Sequence, residues 1–454
     1  MAVNPAESPV TGALFGSDAM RAVFDERAFL ARMLDVEAAL ARAEARTKVI
    51  PGAAAAAILR AASALAVDLD RAELARSAAK VGYPVVALVD ALSRAAGPDA
   101  GRWTHWGATT QDILDTALVL QVRDGLALVR AELVAIVRAL AALADRHRGA
   151  VMAGRTHLQH AAPTTFGLKC AGWLEPLVAH VERLDQLRPR VERVQLGGAV
   201  GTLASLGTSG IAVLEALAAD LGLAVPAIPW HTARDGFVEA VCLLGLVAGS
   251  ASKIATDVAL LSQTEVAEVA EGAADGRGGS STMPQKRNPI ASEYVVAAAR
   301  GVHALVPLML GAMAQDHESA TGPWQAEALA LPQAFVLTHG ALVHTRRIAE
   351  ALAVDAPRMR RNVDASRGLI MAEAAMMALA PRLGRGEAHH VVERACRTAQ
   401  AEGIDLAAAL AREPHGAAHL DRAELDRVTD PSRYLGSADG FIDRVLARAR
   451  PLRE

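Results

Sequence analysis

Residues 118–143 read LVLQVRDGLALVRAELVAIVRALAAL. Leu118, Val122, Leu126, Val129, Leu133, Ile136, Leu140 and Leu143 recur every three or four residues. At 3.6 residues per turn that step lines one face, so the stretch predicts a single long amphipathic helix. The same step returns at Phe29, Met33, Val36 and Leu40, and at Leu244, Val247, Ala251, Ile254, Val258 and Leu261. Few breakers interrupt 237–271; Gly245 and Gly249 are compatible with a helix and permit close contacts. A helix of roughly 30 residues is about 45 Å long, and patterns of that length belong to bundles. No run alternates with the period of a strand and no short repeat is present. The expected class is all-α.

A chain of 454 residues exceeds what one core usually supports. The helix expected from about Asp112 divides shorter N-terminal helices from long central ones. A second change falls near 350–366, where Asp355, Pro357 and Asn362 precede segments punctuated by Gly384, Gly386, Gly403 and Pro414. Three helical domains are therefore expected, at 1–108, 109–350 and 351–454. Aromatic residues are only 3% of the chain against 52% hydrophobic, so the core is built mainly from Ala, Leu and Val, and Ala is the best helix former. A net charge of −3 without a long basic run gives no footprint for nucleic acid. Cys170, Cys242 and Cys396 have neither metal spacing nor a disulfide framework; reduced thiols in a cytoplasmic protein are expected. The first residues, with Pro5 and Pro9, do not read as a signal peptide. No uninterrupted apolar run reaches the length of a membrane span, so no membrane partner is expected.

Residues 278–289 read GGSSTMPQKRNP. Paired glycines let the backbone approach a ligand, and free N–H groups there can form an anion-binding nest. Lys286 and Asn288 bring a cation and an amide to one pocket, while Pro284 and Pro289 stiffen the exit. Such donors suit proton removal beside a carboxylate, where charge develops in the transition state. Residues 105–116 read HWGATTQDILDT. Thr109, Thr110 and Gln111 offer hydroxyl and amide donors near a helix N-terminus, which favours an anion; either threonine also suits a helix N-cap. His105, beside Trp106, reads equally as a packed side chain or a ligand contact. Residues 154–167 read GRTHLQHAAPTTFG. There His157 can donate a proton near neutral pH, and His160 shares its face if the stretch is helical. No carboxylate or cysteine accompanies the two histidines, so no metal is expected. Arg155 reads as a carboxylate anchor or as half of a structural ion pair. His231 and Arg234, in PWHTARD at 229–235, form a fourth cluster. His389 and His390 read as part of a C-terminal helix.

The loop at 278–289 resembles the GSSxMPxKxN pattern of the fumarase/aspartase superfamily, and the stretches at 105–116 and 154–167 resemble its other two blocks, in the expected order. The resemblance implies enzymes that catalyse β-elimination from carboxylate-bearing substrates and the reverse addition, without a cofactor. It implies Ser280 as general base, with Ser281 a loop hydroxyl, Lys286 supplying charge and His157 positioning or protonating the leaving group. Thr109, Thr110 and Gln111 then hold a substrate carboxylate, with Thr156, Arg287, Asn288, His105 and His231 also touching substrate. The implied central domain is a five-helix bundle, four copies of which join into a twenty-helix core. In such a homotetramer each site draws its blocks from three subunits.

Within the superfamily, 105–112, 229–235, 278–289, 358–362, 383–385 and 388–390 are most similar to the branch that closes a tricarboxylate diene into a γ-lactone. There the substrate's own carboxylate adds to a double bond. Members of that branch usually carry an arginine where Ser319 follows Gln315-Asp316-His317-Glu318. The alternatives are an adenylosuccinate lyase, a lyase for a substituted succinate, or a non-catalytic scaffold. Against the first, Val81-Gly82-Tyr83-Pro84-Val85-Val86 stands where that family has a His-Asp-Val stretch. Against the last, Ser280, Lys286 and Asn288 are all present.

Overall fold

A computed structural model of the chain describes residues 4–272, 278, 279, 282, 283, 285–319 and 321–453. Among them are twenty α-helices and four short strands. The long elements are α1 (Glu26–Arg46), α2 (Thr110–Arg146), α3 (Phe166–Val191), α4 (Asp235–Leu261), α5 (Ile290–Gly311) and α6 (Gly322–Ala351). The 37-residue α2 is the helix expected from the stepped leucines and valines. Val122, Leu126, Val129, Leu133, Ile136 and Leu140 are all buried.

The chain divides into two compact units, each discontinuous. The first comprises Met1–Glu132, His180–Gly249 and Ala297–Val343; the second comprises Leu133–Ala179, Ser250–Val296 and His344–Glu454. Every passage between them falls inside a helix, in turn α2, α3, α4, α5 and α6.

In the first unit α1 is capped by Asp25, whose side chain accepts from the Ala28 N–H. Its inward face, including Met33, Leu34, Val36 and Leu40, packs against helices Gly52–Leu65 and Gly210–Leu221. In the second unit, helices Ala372–Leu383 and Arg385–Glu402 enclose a core of Leu379, Val391, Leu406, Leu410 and Leu425. His389 and His390 lie exposed on the latter helix, as its sequence implied. With Glu393 they form a surface cluster whose ligand atoms lie within 4.8 Å of one another.

Several expectations are corrected. Strands do form: β1 (Val151–Thr156) pairs antiparallel with β2 (Gln159–Thr165), and β3 (Val269–Ala270) with β4 (Ala353–Val354). The segment holding His157 and His160 is thus a hairpin, and the helical spacing considered for the two histidines does not apply. α4 stops at Leu261, with β3 taking up part of the stretch that follows. Four helical stretches, 204–221, α4, α5 and α6, are long and apolar enough by length and composition to cross a membrane. Charges such as Lys253 and Asp257 interrupt α4, so its apolar run is not continuous. The three cysteines are free, and burial pushes the Cys170 thiol above its ordinary range.

Candidate active site

The loop before α2 is shaped by two left-handed residues, His105 (φ 57°) and Gly107 (φ 75°). At Gly107 a Cβ would sit 2.6 Å from Leu206 Cδ2, so only glycine fits. The Thr109 N–H donates to Asp112 Oδ2 at 2.9 Å, and the Asp112 N–H donates back to the Thr109 carbonyl at 3.0 Å. That reciprocity fixes where α2 begins.

Asp112 does more than cap the helix. It is buried, and it also accepts from the Gly197 N–H (2.8 Å), the Gly198 N–H (3.0 Å) and His231 Nε2 (2.7 Å). Donors on both oxygens replace the water this carboxylate gave up. Gln111 is buried beside it. Its Nε2 donates to the His231 carbonyl at 2.9 Å, and its Oε1 accepts from Ser319 Oγ at 3.2 Å. The Thr109 and Thr110 hydroxyls, half-buried, have no hydrogen-bond partner among the described residues. Two open hydroxyls therefore stand at the positive end of a 37-residue helix, a setting that attracts an anion.

Deeper in the same unit, Asp115 holds Arg234 in a fork, NH1 to Oδ2 at 2.7 Å and NH2 to Oδ1 at 2.9 Å. Glu327 takes Arg234 Nε at 2.8 Å and NH2 at 2.6 Å. Trp230 and Phe237 flank the guanidinium, their ring centroids 5.0 and 5.1 Å away. Burial lowers the Arg234 pKa, but the two carboxylates outweigh it and hold the cation well above its ordinary value. Burial raises the Glu327 pKa against the pull of Arg234. Arg234 is fully enclosed and serves the scaffold.

The second unit carries the other blocks. His157 and Leu158 form the two-residue turn between β1 and β2, at φ 51° and 62°. Positive φ at both central positions matches a hairpin of the I′ type, unusual without Asn or Gly. Thr156, His157 and His160 are exposed. Arg155 is not free to anchor a ligand: its NH1 and NH2 grip the buried Glu268 at 2.9 and 2.7 Å. Asn362 donates to the same carboxylate at 2.8 Å. Of its two sequence readings, Arg155 takes the structural ion pair.

In the 278–289 loop, the Asn288 N–H donates to the Gly278 carbonyl at 2.8 Å, and Gly279 bridges Arg287. Gly278 has φ 75°, and a Cβ there would lie 2.7 Å from the Asn288 carbonyl oxygen, so the neck of the loop requires glycine. Lys286 and Arg287 are exposed and Asn288 is half-buried. Ser280, Ser281 and Pro284 lie outside the described residues. Beyond the loop, Glu271 accepts from the Ala291 and Ser292 N–H groups at 3.0 and 2.8 Å, holding the first turn of α5.

Residues 15–303 match the family described as Lyase, and 368–445 match the adenylosuccinate lyase C-terminus. A 3-carboxy-cis,cis-muconate cycloisomerase of Pseudomonas aeruginosa is 49% identical, over 97% of this chain and 96% of that protein. A 3-carboxy-cis,cis-muconate lactonizing enzyme of Pseudomonas putida superposes with a TM-score of 0.92 at 44% identity, covering 98% of this chain and all of the other. A fumarate lyase of Mesorhizobium sp. BNC1 does so with a TM-score of 0.89 at 46% identity, covering 95% and 98%.

The chain belongs to the lyase family of the fumarase/aspartase superfamily.

As a member of the lyase family it is an enzyme of an all-α fold. The first unit gathers Thr109, Thr110, Gln111 and His231 around Asp112. His105 also feels the Asp112 charge, and its Nδ1 lies 2.6 Å from Glu37 Oε1. The second unit holds Thr156 and His157 on the hairpin, and Lys286, Arg287 and Asn288 on the loop. Sequence reasoning missed Asp112, Glu37 and Glu268. Asp112 had a local signal, three residues after Thr109 at the spacing of a reciprocal cap. Glu37 and Glu268 had none, since their partners lie 68 and 113 residues away.

Proposed function

We propose that the chain is a 3-carboxy-cis,cis-muconate cycloisomerase of aromatic (protocatechuate) catabolism, interconverting that triacid and 4-carboxymuconolactone. In the forward direction a substrate carboxylate oxygen bonds to one alkene carbon, and a proton is delivered to its neighbour. The reverse is a β-elimination. No electrons are gained or lost, so the chemistry calls for no redox cofactor. The observation that carries this reading is the near full-length match to a cycloisomerase at 49% identity, together with the three motif blocks in order.

In this reading Ser280 exchanges the proton, Lys286 balances the charge of the enolate-like intermediate, and His157 orients the reacting carboxylate. Thr109 and Thr110 bind a second carboxylate with their open hydroxyls. Gln111 and His231 back them, and His105, Thr156, Arg287 and Asn288 complete the pocket. The lyase is a homotetramer whose central five-helix bundles form a twenty-helix core, each site combining blocks from three subunits. Exposed leucines on α4, α5 and α6 support this assembly, among them Leu246, Leu308, Leu310 and Leu329: apolar patches of that kind favour burial against another surface. The domain division at 1–108, 109–350 and 351–454 and a cytoplasmic setting belong to the same reading.

A second reading, a lyase acting on a substituted succinate, is favoured by Ser319. A neutral hydroxyl there removes one potential anchor for a third carboxylate. Assays of the purified protein with carboxymuconate, adenylosuccinate and fumarate decide between them. Turnover of carboxymuconate alone is expected; turnover of only a succinate-type substrate overturns the first reading. Ser280→Ala is expected to lose roughly 10²–10⁴-fold in turnover and Ser281→Ala far less. Inactive Ser280→Ala and Thr110→Val chains, mixed and reassembled, regain activity if sites are shared; an active monomer in sedimentation defeats the shared site.

A further inference from the structure

The mechanism above gives no work to Glu37. It lies on the inward face of α1, only 1% exposed, among apolar neighbours such as Met33, Val36 and Leu40. A carboxylate in such a place persists only with a partner. Its Oε1 is 2.6 Å from His105 Nδ1, and its Oε2 has no hydrogen-bond partner. Glu44, two turns along the same helix face, is equally buried, with Oε1 also unpartnered. His105 is held in left-handed backbone, a strained conformation for a residue other than glycine. It sits four residues before Thr109, and its side chain keeps 19% of its exposure.

We propose that Glu37 is a positioning residue that turns the His105 ring and keeps it cationic, so that Nε2–H meets a carboxylate of the substrate. This rests on His105 as a substrate contact in the cycloisomerase reading. Both imidazolium nitrogens donate, whereas a neutral ring donating through Nδ1 presents Nε2 as an acceptor. Facing a carboxylate, the first attracts and the second repels. A 2.6 Å N···O separation fits a charge-assisted bond.

The charged groups facing His105 are Glu37 of α1 and Asp112 of α2. Burial lowers the His105 pKa, but attraction and hydrogen bonding to Glu37, with the Asp112 charge, leave it above the ordinary 6.5. Glu44 stays protonated at neutral pH, pushed up to about 9 by burial and then by Glu37.

The test is the pH dependence of KM and kcat for carboxymuconate in wild type, Glu37→Gln, Glu37→Asp and His105→Gln, each checked for folding by circular dichroism. Without the carboxylate the ring loses its proton at lower pH. Glu37→Gln is therefore expected to raise KM about tenfold near pH 8, the equivalent of one pKa unit, with kcat little changed. The gap closes near pH 5.5, where the ring is protonated regardless. Glu37→Asp restores much of the affinity, and His105→Gln raises KM at every pH. A Glu37→Gln penalty that is flat with pH, or absent, overturns the proposal. If no variant turns over carboxymuconate, the cycloisomerase reading has failed by itself. The coupling is then read from the NMR titration of His105, its signal assigned by loss in His105→Gln. A midpoint unmoved by Glu37→Gln overturns the proposal in that case too.

Discussion

Asp112 accepts hydrogen bonds from Thr109, Gly197, Gly198 and His231 within its own unit, whereas the His157 side chain, at the tip of the β1–β2 hairpin, makes none among the described residues. The first region is complete as it stands: Asp112, Asp115, Arg234 and Glu327 are all buried and paired. The second ends in a row of exposed residues from Thr156 to Ala161, with Leu158 76% exposed. Its two left-handed, non-glycine residues keep a strained turn at the surface. One region holds a geometry; the other presents groups outward. In the proposed tetramer that outward tip serves a site made with other copies.

This contrast breaks most visibly at Arg234. Arg234→Leu leaves Asp115 and Glu327 buried without their cation and is expected to destabilise the fold by about 3–5 kcal/mol, read as a lower midpoint in urea. An unchanged midpoint would show that the packing around the fork, not the ion pairs, holds the first region.

At the hairpin the expected effect falls on rate and not on stability. In the proposed cycloisomerase the reacting carboxylate has a pKa near 4 and needs no proton at neutral pH, so His157 would orient it without acting as an acid. His157→Gln is expected to lower turnover by about 10–100-fold, mostly below the general-acid range, with an unchanged melting temperature. A loss as large as that of Ser280→Ala would assign His157 the general-acid role of an amine-releasing lyase.

The smallest expected effect tests how well the first region is sealed. The Glu44 pKa stands at about 9 in the folded chain against an ordinary 4.5. Between those values the unfolded chain releases a proton that the folded one keeps, so Glu44 lowers stability increasingly as pH rises from about 4.5 towards 9. Glu44→Gln is expected to raise the urea midpoint at pH 8 and to change it little at pH 4.5. Equal effects at both pH values would mean that water reaches the carboxyl.

The long helices were legible because one apolar face at 3.6-residue spacing is a local signal repeated over many turns. α2 begins at Thr110, two residues from where its sequence placed it. The hairpin was not legible. Gly154 and Pro163 interrupt the alternation, and His157-Leu158 carries none of the usual turn residues. Of the candidate site, the placing of Thr109 and Thr110 at a helix start was readable from local chemistry. The pairings that orient them were not: His231 finds Asp112 across 119 residues and His105 finds Glu37 across 68. Nothing in a local pattern specifies such a contact. The Ser319 hydroxyl, noted in the sequence as a departure, proves to sit on the Gln111 amide.

The passages between the units at 132/133, 179/180, 249/250, 296/297 and 343/344 all lie inside helices. No reading-frame cut isolates either unit, and a gene for one alone would have to splice three pieces through interrupted helical turns. Recombination has no seam to use here. New specificity in a chain so threaded arises more readily by single replacements on a fixed frame than by exchange of modules.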